Sequence, residues 1–286
     1  MKTAIIRNVK KQIELADKTQ EILPRIFMEL AYDGTDFCGW QIQPNGLSVQ
    51  EVIEEKLARI YAGKKVKIES SGRTDAGVHA LGQTITFTPP GIPYVEDEKL
   101  QRALNRMLPV SIRILDVKRV AQDFHARYSA VGKAYTYVIN TGKPNPFLSR
   151  LTWHIPDFTE ICEIRKSVKY LKGKHDFSSF TVERKNIERA ERTIFKINVQ
   201  SFGDLICITF IGDGFLYKMI RSIMGTLYFV GTDKIRAEEV KDIILQKNRK
   251  EAYDTAPPQG LFLMKVFYEE ENMKKFRLKK VPFYVN

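Results

Sequence analysis

Apolar and polar positions alternate from residue 26, with Ile26, Met28 and Leu30 set against Phe27, Glu29 and Ala31 in the two-residue period of a strand. The period changes at Ser48. With Glu51 three residues on, Ser48 forms a capping box, and Val49, Val52, Ile53, Leu57 and Ile60 then share one helical face until Gly63 ends the run. Residues 66–70 and 84–88 read as strands, the second stopped by Pro89 and Pro90, with a loop punctuated by Gly72 and Gly77 between them. A helix over 99–108 and a strand over 112–120 complete a β-α-β-β-α-β-like half that is ferredoxin-like in order.

A second round follows. A strand around 135–139 leads through Pro144 and Pro146 to a helix from about residue 160 to 171, with Ile161, Ile164, Val168 and Leu171 on one face and Gly173 at its end. Strands over 193–199 and 205–210 come next. Gly212 and Gly214 then open a long apolar helix over 215–230, followed by a helix over 235–245 and a strand over 262–268. The halves share an order of elements and no residue-level repeat. The prediction is an α+β fold with a mostly antiparallel sheet, divided into an N-terminal extension (1–24), an N-terminal half (25–123), a C-terminal half (124–270) and a basic tail (271–286). In the tail Lys274, Lys275, Arg277, Lys279 and Lys280 interleave with Phe276, Phe283 and Tyr284, a pattern that fits either a solvated terminus or a grip on nucleic acid.

At 286 residues the chain can bury a sizeable core without staples. No apolar run approaches the roughly 18–20 residues of a membrane helix, so no membrane partner is expected. Glu14, Asp17 and Glu21 interrupt the N-terminus in a way foreign to a targeting segment, and the chain reads as cytoplasmic. Cys38, Cys162 and Cys207 are widely spaced, odd in number and without a ligand-like histidine pair, so they read as reduced packing residues. Lys and Arg outnumber Asp and Glu by 46 to 34, a net +12 that suits a polyphosphate partner and equally a merely basic soluble protein.

Chemistry concentrates in one loop. Ser71-Gly72-Arg73-Thr74-Asp75-Ala76-Gly77-Val78-His79-Ala80 sets a carboxylate between two glycines that permit tight turns and close approach of a ligand. An arginine within a few ångströms favours the ionised carboxylate, which makes Asp75 a nucleophile that needs no separate base. The same residues also read as an Arg–Asp pair tying down a turn. His79, His125, His154 and His175 are scattered without ligand spacing, so no metal is expected, and Gly212 and Gly214 lack the rest of a phosphate-loop or dinucleotide fingerprint.

Five ordered motifs carry a resemblance. They are Tyr32-Asp33-Gly34-Thr35 with Phe37 and Gly39-Trp40-Gln41; residues 71–83 around Asp75; Phe124-His125-Ala126-Arg127 with Tyr128-Ser129-Ala130, Lys133, Tyr135 and Tyr137; residues 212–227 with Phe215-Leu216, Met219 and Arg221; and Ala256-Pro257-Pro258 with Gly260-Leu261 and Leu263. Together they resemble the TruA family of tRNA pseudouridine synthases over residues 27–268. The segment 182–191 and both termini match less. The resemblance implies two ferredoxin-like halves in one continuous sheet, with helices on one side and the active site in a central cleft. It implies an isomerase converting uridine to pseudouridine at positions 38–40 of the tRNA anticodon stem-loop, without a cofactor and as a homodimer.

On the same resemblance Asp75 attacks covalently, at the base or at the sugar. Tyr135 stacks on the flipped base and serves in proton transfer, and Arg221 pairs with Asp75. Arg73 either helps Asp75 or fills the vacated stem, Leu263 walls the pocket, and Gly72, Thr74 and Arg127 contact the substrate. Each has a plainer reading: Tyr135 and Leu263 as core, Arg221 as an arginine snorkelling from a helix surface. A flipped base must be compensated for its lost stacking, which an aromatic platform does. A cation in the apolar run of residues 215–230 needs a partner, and Asp75 is the obvious one. Two other classes compete. A non-catalytic RNA binder needs cations but no carboxylate in its cleft. A glycosidic hydrolase needs a second carboxylate, for which Asp33 and Asp36 are candidates although their loop reads as a turn.

Overall fold

The computed structural model describes residues 24–91, 93–182 and 190–284. The extension before residue 24, and residues 183–189 of the poorly matching segment, lie outside this range. Among the described residues ten strands form one sheet in the order β4-β1-β3-β10-β5-β9-β8-β7, with β2 on β3 and β6 on β5. The strands are β1 (Arg25–Tyr32), β2 (Glu69–Ser70), β3 (His79–Phe87), β4 (Ile112–Val120), β5 (Gly132–Asn140), β6 (Trp153–His154), β7 (Gly173–Asp176), β8 (Glu191–Phe202), β9 (Leu205–Gly212) and β10 (Leu261–Phe267). All pairings are antiparallel except β10 with β3 and β5 with β6. The fold is the expected α+β, with a continuous and mostly antiparallel sheet.

Strand alternation decides what each face meets. Ile26, Met28 and Leu30 of β1, Tyr135, Tyr137 and Ile139 of β5, and Ile208 and Phe210 of β9 point to one face and join one core. The helices α1 (Val49–Ile60), α2 (Asp97–Met107), α3 (Ile161–Leu171), α4 (Met219–Gly231) and α5 (Glu239–Gln246) all bury their apolar stripes in that same core. Val138, Cys207 and Phe262 point the other way and are covered by Leu278 and Val281 of the tail. Beside them Ala134, Ile211 and Phe267 meet Met273 of the short helix α6 (Glu270–Lys275) and Phe276. From residue 273 to 283 the tail is therefore docked: Met273, Phe276, Leu278, Val281 and Phe283 pack on the open face of the sheet while its lysines stay outside and Tyr284 is exposed. The solvated-terminus reading fails for that stretch.

Local signals explain most boundaries. Ser48 Oγ accepts the Glu51 N–H and starts α1, and Gly63 (φ +83°) follows its end. The expected strand over 66–70 contracts to two residues because the Glu54 carboxylate takes the Ile68 N–H at 3.1 Å. The long helix expected from residue 215 begins at Met219, since Lys218 adopts a left-handed φ of +58° that breaks the helical path. Helix α5 starts four residues later than expected, after a turn in which Glu239 accepts the Arg236 N–H at 2.9 Å. All three cysteines are free, and burial pushes the Cys207 thiol up to about 12. Among the described residues no helix is long and apolar enough to cross a membrane, and no group of three or more His, Cys, Asp or Glu converges as a metal site.

Candidate active site

One edge of β3 is shared. β10 pairs with His79 and Ala80 at its start, and β2 pairs with Ile85 and Thr86 further along. The loop of residues 71–78 leaves β2 and returns to β3 in the opening between these two partners. Its backbone is fixed at several points. Ser71 N–H donates to Thr84 O at 2.9 Å, Gln83 Nε2 donates to Gly72 O at 2.8 Å, and Trp40 N–H donates to Thr74 O at 3.0 Å. Residues 75–78 close a turn through Val78 N–H and Asp75 O at 3.1 Å, with Gly77 supplying the φ of +76° that this turn needs at its third position. Gly39, at φ +91°, lies so close beneath the loop that a Cβ there would stand 2.7 Å from Thr74 O.

Asp75 projects from this turn towards α4, where Arg221 Nη1 donates to its Oδ2 at 2.6 Å. Both side chains are largely buried, 16 % exposed for Asp75 and 12 % for Arg221, so the pair is shielded from solvent screening. The same guanidinium donates through Nε to Ala256 O at 2.8 Å, and Ala256 N–H returns to Arg221 O at 3.0 Å. Arg221 thus joins the loop, α4 and the segment before β10. Tyr135 on β5 is buried, pairs with Leu263 of β10 in the ladder, and meets Phe215 edge-on with ring centroids 5.3 Å apart. Burial, with Tyr32 and Asp75 adding to it, holds the Tyr135 phenol far above its ordinary range and keeps it protonated.

The remaining expected residues divide. Thr74 is buried and its hydroxyl bonds the Tyr32 hydroxyl at 2.8 Å. Leu263 is fully buried. Gly72 faces the Lys133 ammonium, which would lie 2.9 Å from an added Cβ. Arg73 and Arg127 are exposed, Arg127 over the Tyr128 ring at 5.8 Å, and no ion pair joins Arg73 to Asp75 among the described residues. The structure therefore brings together Asp75, Arg221, Tyr135, Thr74 and Leu263, and leaves the two other arginines at the rim.

Two further residues hold the loop. Lys133 Nζ donates to Ser71 O at 2.6 Å, and burial, helped by Arg127 and Arg192, brings its pKa down to about 8. His79 is buried against Phe262, with ring centroids 4.7 Å apart. Its Nε2 donates towards the carbonyls of Arg150 and Gln259 at 3.0 and 3.1 Å, and its Nδ1 accepts the Gly34 N–H at 3.1 Å. Lys133 and His79 stand in the motifs quoted above, but only spatial contacts reveal what they grip. Asp33 is taken up by its turn, accepting from Thr35 N–H at 3.0 Å and Thr35 hydroxyl at 2.6 Å, while Asp36 pairs with Arg150 at 3.0 Å. Neither is free to serve as a second carboxylate.

Comparison with known proteins shows the family. Residues 30–129 and 168–269 match the family model described as tRNA pseudouridine synthase. The chain belongs to the tRNA pseudouridine synthase family. It is 41% identical to tRNA pseudouridine synthase A 1 of Protochlamydia amoebophila over 249 residues, which cover 86% of this chain and 96% of that protein. It is 38% identical to tRNA pseudouridine synthase A of Oceanobacillus iheyensis over 87% of this chain and 98% of that one. With the enzyme of the same name from Exiguobacterium sibiricum it shares 42% identity over 84% of this chain and 95% of that one. As a tRNA pseudouridine synthase of the TruA type the protein is an isomerase, and its loop with Asp75 and its Arg221 both lie inside the matched segments.

Proposed function

We propose that this synthase converts uridine to pseudouridine at positions 38–40 of the tRNA anticodon stem-loop, with Asp75 as the covalent nucleophile. The observation that carries the reading is the Asp75–Arg221 pair at 2.6 Å, set beside the buried Tyr135. A carboxylate aimed by a bidentate-capable guanidinium, next to an aromatic wall and with Asp33 and Asp36 both engaged elsewhere, suits covalent attack better than hydrolysis.

The target base is flipped out of its stem at a cost of a few kcal/mol and stacks against Tyr135. Asp75 attacks the base or the sugar, and the bond between N1 and C1′ breaks. The uracil turns, C5 bonds to C1′, and N1 gains a proton as C5 loses one, so that nothing is consumed. The protonated phenol of Tyr135 donates a hydrogen bond to the uracil while it turns. Leu263 and Phe215 exclude water from the covalent intermediate. Arg73, at the rim, enters the stem or approaches the substrate phosphates, and Gly72, Thr74 and Arg127 line the approach. The active form is a homodimer.

The test is release of tritium from uracil C5 in tRNA, with chemical mapping of the product. Asp75→Asn abolishes turnover while tRNA binding survives. Full activity in that variant overturns the nucleophile assignment, product at other tRNA positions overturns the target assignment, and a monomeric scattering mass at working concentration overturns the dimer.

A further inference from the structure

Asp75 is only as well placed as Arg221, and Arg221 is held by an irregular segment as well as by its own helix. Residues 252–256 run along one face of α4 with no strand or helix of their own. Arg221, Ser222, Gly225 and Phe229 make up that face, at the three- and four-residue spacings of a helix. Each meets the segment. Arg221 exchanges two bonds with Ala256, Ser222 Oγ lies 3.4 Å from Thr255 Oγ1, and the Tyr253 ring stacks on Phe229 with centroids 3.9 Å apart. The approach is closest at Gly225, where a Cβ would stand 1.7 Å from Asp254 O.

A second arginine keeps the segment in that seat. Arg249 opens a 3₁₀ turn over Arg249–Glu251, just after α5. Its Nη1 donates to Ala252 O at 2.8 Å and to Tyr253 O at 3.0 Å, and its Nη2 donates to Thr255 Oγ1 at 3.3 Å. The turn is itself anchored. Asn248 Oδ1 accepts the Lys250 N–H at 3.1 Å, and the buried Ser179 hydroxyl accepts the Asn248 N–H at 3.0 Å while donating to Ile243 O at 2.6 Å. Among the described residues Arg249 has no carboxylate partner, and its Nε is buried and unpaired. A half-buried cation without a counter-ion and with a donor unmet costs stability. What Arg249 secures in return is the course of the four residues that lead to Ala256.

We propose that Arg249 is a positioning residue for the isomerisation. By fixing residues 252–255 against α4 it fixes Ala256 O, the acceptor that sets the direction of the Arg221 guanidinium, and through that group it aims the Asp75 carboxylate. The guanidinium is planar and its donors point in fixed directions. Nε is committed to Ala256 O and Nη1 to Asp75 Oδ2, so displacing the one acceptor turns the whole group and carries the other with it. A misplacement of about 1 Å at reacting atoms can cost roughly a hundredfold in rate, which leaves room for a residue that never meets the substrate to matter. The proposal rests on the reading of Asp75 as the nucleophile.

The experiment is a double-mutant cycle. Single-turnover tritium release and the Kd for tRNA are measured for wild type, Arg249→Gln, Arg249→Lys, Arg221→Ala and Arg249→Gln/Arg221→Ala, with a thermal melt of each. Arg249→Gln is expected to slow the reaction about tenfold while the Kd stays within about twofold of wild type. Arg249→Lys, whose ammonium reaches a single carbonyl, loses about threefold. On the Arg221→Ala background Arg249→Gln costs less than about twofold, because the group it works through is gone. A purely structural role lowers the melting temperature and leaves the two rate losses to multiply. A rate for Arg249→Gln within about twofold of wild type, a loss that lies in the Kd, or multiplying losses in the double variant each overturns the proposal. Should Arg249→Gln melt below the assay temperature, the same cycle run with Arg249→Lys decides by the same criterion. Full activity in Arg221→Ala overturns the nucleophile reading and this proposal together, whereas a loss there with none in Arg249→Gln overturns this proposal alone.

Discussion

Replacing Arg221 by alanine removes two bonds at once, the charge-assisted one to Asp75 Oδ2 at 2.6 Å and the one from Nε to Ala256 O at 2.8 Å. A hydrogen bond to a charged group contributes about 1.5–3 kcal/mol, and a buried acceptor left unpaired costs about 1–3 kcal/mol. Asp75 keeps some solvent contact, so the lower half of each range applies, and the sum is about 3 kcal/mol. The freed carboxylate swings out of its line of attack, and if the whole loss falls on the transition state kcat drops about a hundredfold. Arg221→Lys keeps the charge, but a single ammonium cannot reach along both directions, and about a tenfold loss is expected. Single-turnover tritium release measures the rate, with a thermal melt alongside to establish that each variant is folded. A folded Arg221→Ala enzyme with kcat within about threefold of wild type refutes the reasoning, because Asp75 is then oriented by something else.

Three other outcomes follow from the same geometry. Tyr135→Phe keeps the ring against Phe215 and removes only the protonated hydroxyl, so stability changes by less than about 1 kcal/mol while kcat falls more than tenfold; equal kcat removes the hydroxyl from the reaction. Gly39→Ala forces a Cβ into a left-handed backbone and against Thr74 O, costing about 1–3 kcal/mol, and both the melting temperature and the tritium-release rate fall. For Lys133 the unfolded chain keeps its proton up to the ordinary lysine range and the folded chain releases it near 8. Between those values the unfolded state binds more protons, so the folded state gains stability as pH rises. Wild type minus Lys133→Met melting temperatures should increase from pH 8 to 10, and a flat or falling difference sinks the assignment.

Periodicity reached most of the fold because most elements bury one face against a single core. Ser48 and Glu51 start α1, and Gly173, at φ +111°, ends α3 as a glycine there should. What escaped depends on partners far away in the chain. Strand β7 is the four-residue run Gly-Lys-His-Asp, which has no apolar alternation and exists only because β8 offers it an edge. The early start of β3 at His79 is likewise set by β10, some 180 residues later. At the site, the Asp75–Arg221 pair follows from a rule that a sequence can express, since a cation in an apolar helix wants an anion. The hold of Lys133 on Ser71 O does not, because a lysine at the head of a strand ordinarily points to water.

The place of β10 has a consequence for how the enzyme comes into being. The last strand of the sheet to be synthesised is also the one that joins the two halves, lying between β3 and β5. Until it emerges, a nascent chain already carries the whole loop around Asp75 and the whole of α4, yet presents two unpaired strand edges in the middle of its future sheet. Such edges invite pairing with other chains, and contacts this distant in sequence form slowly. Assembly of the site is thereby made the closing event of folding, and a fragment ending before residue 261 would combine exposed edges with an unbuilt pocket.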